Sequence, residues 1–173
     1  MSFTFLALGC HSPGPYGYAA DYAPLDAEEA AANNAVDFDP VMAGRDRKSW
    51  SSKVVSAFGI VEERVALKNG KTKLVLNLRT LSPRNLCDEG GEETCRVTVS
   101  AKGYGELTAT AKLSPDDDVG RDSLKAGSLV RVVGRLVYGD RAEGSAPILD
   151  ASFYRHWPFR QFVTTQARDY LMR

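Results

Sequence analysis

The stretch Leu124-Lys125-Ala126-Gly127-Ser128-Leu129-Val130-Arg131-Val132-Val133-Gly134-Arg135-Leu136 decides the fold class. Lys125 to Ser128 reads as a glycine turn. From Leu129 to Tyr138 the chain reads as a strand, with Val130, Val132 and Leu136 facing one way and Arg131 and Arg135 the other. Gly134 inside that strand permits the sharp coiling that a small barrel needs.

The same period recurs on both sides. Upstream, Lys53 to Leu67 carries β-branched and aromatic residues around Gly59, and Lys68-Asn69-Gly70-Lys71 then supplies a hairpin turn. Leu74, Leu76 and Leu78 alternate with Val75, Asn77 and Arg79, and Pro83 closes that strand. Arg96 to Ser100 alternates again. Past the turn at Gly103-Tyr104-Gly105, Leu107, Ala109, Ala111 and Leu113 are spaced by two. Ser114-Pro115-Asp116-Asp117-Asp118 offers a cap, a proline at the first helical position and first-turn acids, which predicts one short helix. Downstream, 139–146 reads as a loop and Pro147 to His156 as the last strand. Thr164-Thr165 can cap a closing helix through Met172, with Phe162 as its staple.

These strands, the tight first hairpin and the helical link before strand four resemble the OB-fold, a five-stranded Greek-key barrel. The stretch from Leu124 to Leu136 is similar to strand four of OB domains. An immunoglobulin-like sandwich would need about seven strands, and six are reached only by splitting the segment from Cys95 to Leu113. The expected class is all-β: a five- to six-stranded antiparallel OB-like barrel over residues 48–173, with one short connecting helix and a C-terminal helical extension.

The N-terminal third reads differently. Phe3-Thr4-Phe5-Leu6-Ala7-Leu8-Gly9-Cys10 is an apolar run ending in small residues and a cysteine. It resembles the lipobox of bacterial lipoproteins, shortened and without a basic leader. That resemblance implies lipidation at Cys10. Residues 11–47 read as a flexible, acidic, Ala/Pro/Gly-rich tether, because Asp26-Ala27-Glu28-Glu29-Ala30-Ala31-Ala32 favours a helical turn but has no apolar stripe to dock. With Cys10 included, the layout is similar to Slp-type envelope lipoproteins.

Cys87 and Cys95 flank a Gly90-Gly91 turn, so their sulfurs can meet in a disulfide, which implies an oxidising compartment. A reduced pair and half a metal site are the alternatives. Zinc would want closer spacing and more ligands than His11 and His156 supply, and Asp116-Asp117-Asp118 with Asp122 lacks the spacing of a calcium loop. No metal or cofactor is expected. No Ser/His/Asp set, carboxylate pair or phosphate loop is present, so the expectation is a non-catalytic protein.

Lys+Arg and Asp+Glu balance at 22 each, which gives no overall field to draw in nucleic acid. Arg79, Arg96, Arg131 and Arg135 could line a groove, yet Leu74 to Leu81 and Arg96 to Ser100, read as strands two and three, carry no aromatic. The rings gather at the end instead, in Phe153, Tyr154, His156, Trp157, Phe159, Phe162 and Tyr170. Tyr154, Arg155, Trp157, Phe159 and Arg160 are the candidates for docking a partner protein, against the alternative that the rings plug the barrel. The first expectation is a lipid-anchored or secreted protein of the bacterial envelope, on the periplasmic face or in the outer membrane. Its partners would be the membrane, through Cys10, and an envelope protein. The second is an intracellular OB-fold nucleic-acid binder, against which the bare strands argue.

Overall fold

The computed structural model describes residues 21–87, 95–139 and 146–171. Cys10, the segment 1–10, the first part of the presumed tether and the Gly90-Gly91 turn lie outside the described residues, as does the Tyr170 side chain.

The barrel strands are β2 (Val54–Ala66), β3 (Thr72–Arg79), β5 (Glu106–Ala111), β6 (Leu129–Val137) and β7 (Ile148–Trp157). They join in the order β2-β3-β5-β7-β6, and β6 returns to β2, which closes the cylinder. This is the OB-type arrangement that the residue pattern implies. Around Lys68-Asn69-Gly70-Lys71, Gly70 takes a φ of 75°, which glycine adopts without strain, and the Asn69 side chain accepts from the Lys71 amide at 3.1 Å.

The barrel is mixed, not wholly antiparallel as expected, because β5 and β7 run parallel from Thr108↔Ile148 to Thr110↔Asp150. An alternating pattern is blind to strand direction. The segment from Cys95 to Leu113 divides in two, and its first part, β4 (Val97–Val99), leaves the barrel to pair in parallel with β8 (Phe162–Thr164). The barrel's third strand is therefore β5, not Arg96 to Ser100.

Inward residues fill the cylinder: Val55, Ala57 and Val61 from β2, Leu74, Leu76 and Leu78 from β3, Leu107 and Ala109 from β5, and Val130, Val132, Leu136 and Leu149. A side chain at Gly134 would meet the Asp150 carbonyl oxygen at 2.1 Å and the Ala151 Cα at 2.8 Å. Glycine is thus required where β6 presses on β7, beside the irregular register between Val133 and Gly134. A second core lies on the barrel's outer side, where Phe58, Leu129 and Trp157 pack with Val97 and Val99, flanked by Tyr22 and Phe162.

The expected helices form. In α4 (Pro115–Asp118) the Ser114 side chain accepts from the Asp117 amide, and α5 (Thr165–Leu171) starts with Thr164 accepting from the Ala167 amide. Residues 21–47, read as tether, are instead laid against the barrel. They hold α1 (Asp26–Ala32), β1 (Val36–Asp37), which pairs in parallel with β2, and α2 (Pro40–Arg45); α3 (Arg47–Ser51) then leads into β2. Phe38, Ala43 and Trp50 enter the main core. What docks α1 is no apolar stripe but one carboxylate, Glu28, which is fully buried. Its arginine partners come from strands more than a hundred residues away, so the helix's own sequence does not reveal the dock.

Candidate site: an arginine row across four strands

Phe58 on β2 is paired with Arg79 on β3 and with Arg131 on β6, and Arg131 is paired with Arg155 on β7. Inward positions on these strands alternate with this set, so Arg79, Phe58, Arg131 and Arg155 form one outward row across the barrel wall. Two arginines expected in a groove and one expected at a partner surface thus stand side by side. Arg135 does not join them; it reaches back to the Ser52 carbonyl at 2.8 Å. Arg96 sits outside the barrel, its backbone bridged to Leu86.

A cleft of about 800 Å³ opens along the first half of the row. Arg79, Phe58, Ser56 and Arg131 line it from the barrel strands, Asp37 from β1 beside Ser56, and Leu81, Pro83, Asp39, Pro40 and Tyr104 from the adjoining segments. Arg79 donates from Nη1 to the Ala101 carbonyl and, at 3.4 Å, to that of Ser100; its Nε is buried without a hydrogen-bond partner. Asp39 is engaged by α2, accepting from the amides of Val41 and Met42 at 2.9 Å. Tyr104 is 46% exposed at the cleft, and burial, with help from Asp37 and Asp39, pushes its phenol up.

The second half of the row is covered. Glu28 Oε1 lies 2.6 Å from Arg131 Nη1, and Oε2 lies 2.7 Å from Arg155 Nη1. The Tyr22 hydroxyl donates to Glu28 as well. Burial pulls the Glu28 carboxyl up, but the hydrogen bonds from Arg131, Tyr22 and Arg155 outweigh it and hold the group below its usual range. Burial, then the bond to Glu28, raises the Tyr22 phenol far above its ordinary value. The guanidiniums also stack. Arg131 lies 5.2 Å from the Phe58 ring centre and Arg155 4.7 Å from that of Trp157, while Phe58 and Trp157 stack at 6.1 Å.

The other residues expected at the aromatic end are dispersed. Tyr154 donates to Asp117 at 2.6 Å and accepts from the Ser114 amide, tying α4 to β7. His156 contacts the same Asp117 through Nδ1 at 2.7 Å. Trp157 is buried in the outer core, Phe159 is exposed, and Arg160 occupies a turn at φ 82°. Residue types could place rings near arginines here, but not this row, which depends on the register of three strand pairs.

Cys87 and Cys95 form a disulfide beside the Leu86–Arg96 bridge. Among the described residues no group of His, Cys, Asp and Glu is placed to hold a metal ion.

No protein-family model matches the chain, and no curated protein matches it. Among solved structures it is similar to a small single-stranded DNA-binding protein from Streptomyces coelicolor, at 21% identity over 60% of this chain and 91% of that one, with a TM-score of 0.32.

Proposed function

We propose that the protein is a non-catalytic binding module whose barrel takes single-stranded nucleic acid in the cleft along Arg79, Phe58 and Arg131. The observation that carries this reading is the cross-strand row, since strand-binding barrels combine cations that follow the phosphates with rings that stack bases. Arg79 and Arg131 supply the charge, and Tyr104 the accessible ring. Asp37, in the lining beside Ser56, makes the cleft less cationic than the row alone, so affinity is modest and salt-sensitive. The test is fluorescence anisotropy with a labelled oligothymidylate at low salt. Arg79→Ala and Tyr104→Ala should each weaken binding severalfold; a wild-type protein with no measurable binding sinks the reading.

A second reading concerns place and is favoured by the Cys87–Cys95 disulfide, which suits an oxidising compartment. On this reading the protein is lipid-anchored through Cys10 or secreted in the bacterial envelope, where its barrel serves as a binding or structural module for an envelope partner. Mass spectrometry of native protein decides it. A diacylglyceryl mass on Cys10 with the bridge intact supports export, whereas an intact Met1 with free thiols overturns it.

A further inference from the structure

The covered half of the row carries a proposal of its own, which rests on the nucleic-acid reading for the identity of the ligand. We propose that Arg131 and Arg155, with Phe58 and Trp157, form a phosphate-binding platform, and that residues 21–32 are a displaceable strap occupying it in the free protein.

The strap presents what a nucleotide presents. One carboxylate, Glu28, spans two guanidiniums at 2.6 and 2.7 Å, as two oxygens of a phosphate do. One ring, Tyr22, lies edge-on to Phe58 with centres 6.1 Å apart and tilted against Trp157 at 6.3 Å, where a base would meet the platform. Arg155 lies between the two groups, 6.0 Å from the Tyr22 ring centre.

The attachments of the strap are of a kind that a competitor can replace. Glu28 is the one residue of α1 that is buried, so the seven-residue helix has no apolar anchor. Ahead of it the segment is held by an exposed Asp21–Arg84 ion pair at 3.1 Å and the Tyr22 amide donating to the Pro83 carbonyl at 3.2 Å. Charge also permits the exchange. Two guanidiniums against one carboxylate leave a net single positive charge, and a phosphodiester restores the same balance that Glu28 maintains. Opening without a replacement anion gives up both ion pairs and leaves two like charges directly opposite each other on paired strands. Opening therefore depends on ligand, and in the free protein the masked fraction reduces apparent affinity in proportion.

Two measurements test this. In the full-length protein, Glu28→Gln should bind an oligothymidylate about tenfold more tightly than wild type, and adding Arg155→Gln should cancel the gain. In wild type, hydrogen exchange at residues 21–32 should accelerate on adding oligothymidylate or millimolar pyrophosphate, but not sodium chloride at equal ionic strength. A folded Glu28→Gln protein with unchanged or weaker affinity overturns the proposal. If that variant fails to fold, exchange in wild type decides alone, and unchanged or slower exchange at 21–32 overturns it. Should wild type bind the oligonucleotide through Arg79 while 21–32 stays protected, the cleft reading stands and the strap falls.

Discussion

Glu28 and Arg131 are 103 residues apart in the chain and 2.6 Å apart in space, the carboxylate fully buried and the arginine side chain 16% exposed. A buried pair of this kind is expensive to break from one side, because the surviving charge remains without water. Glu28→Gln should therefore cost about 3–5 kcal/mol of folding stability. Urea unfolding followed by tryptophan fluorescence measures it, and a loss below 1 kcal/mol, within the range of exposed pairs, would show the arginines satisfied elsewhere.

The same carboxylate gives acid lability. Its folded value lies below the ordinary 4.5, so the stabilisation is present above pH 4.5 and is lost as pH falls through the lower folded value. Asp150, held down first by the hydrogen bond from Lys71, acts in the same direction below its ordinary 3.8. Thermal unfolding should soften below pH 4.5, and Glu28→Gln should flatten part of that dependence.

Gly134 is the position least able to accept a side chain. An added methyl would strike the backbone of β7, which cannot rotate aside. Gly134→Ala should destabilise the barrel by about 3 kcal/mol, at the upper end of overpacking costs, and Gly134→Val by more. Thermal unfolding unchanged from wild type would contradict the close approach of β6 and β7.

Reduction of Cys87–Cys95, whose cysteines are 8 residues apart, should cost about 2–3 kcal/mol by loop-closure entropy. Differential scanning calorimetry with and without dithiothreitol reads the shift.

Salt should expose the row. One phosphate on Arg79 and one shared by Arg131 and Arg155 give a slope of about −1.4 in log K against log salt, at roughly −0.7 per phosphate of a single strand, and Arg79→Ala should halve it.

Strand positions were legible because alternation reports a face: Leu74, Leu76 and Leu78 announced β3, and Ser114-Pro115 announced α4. Strand direction was not, which is why the parallel β5–β7 pair and the departure of Val97–Val99 from the barrel came from the structure. Arg79 and Arg131 were visible as outward arginines. Their meeting across Phe58 depends on two registers that no local pattern encodes. The docking of α1 was hidden for a related reason. A stripe of apolar residues is recognisable in a helix, whereas a single glutamate reads as solvated until its distant arginines are known.

Closure of the barrel has a kinetic side. The seam between β2 and β6 joins Val54 to Arg135 and Ile60 to Leu129, so much of the chain must be gathered before the last ladder can zip. Such non-local pairing makes for slow folding, and until it completes, Phe58 and Trp157 stand open to other chains. The Cys87–Cys95 bridge lies inside that span and shortens it. Formed early, it should quicken folding as well as stabilise the product, so an oxidised chain would spend less time in its aggregation-prone state.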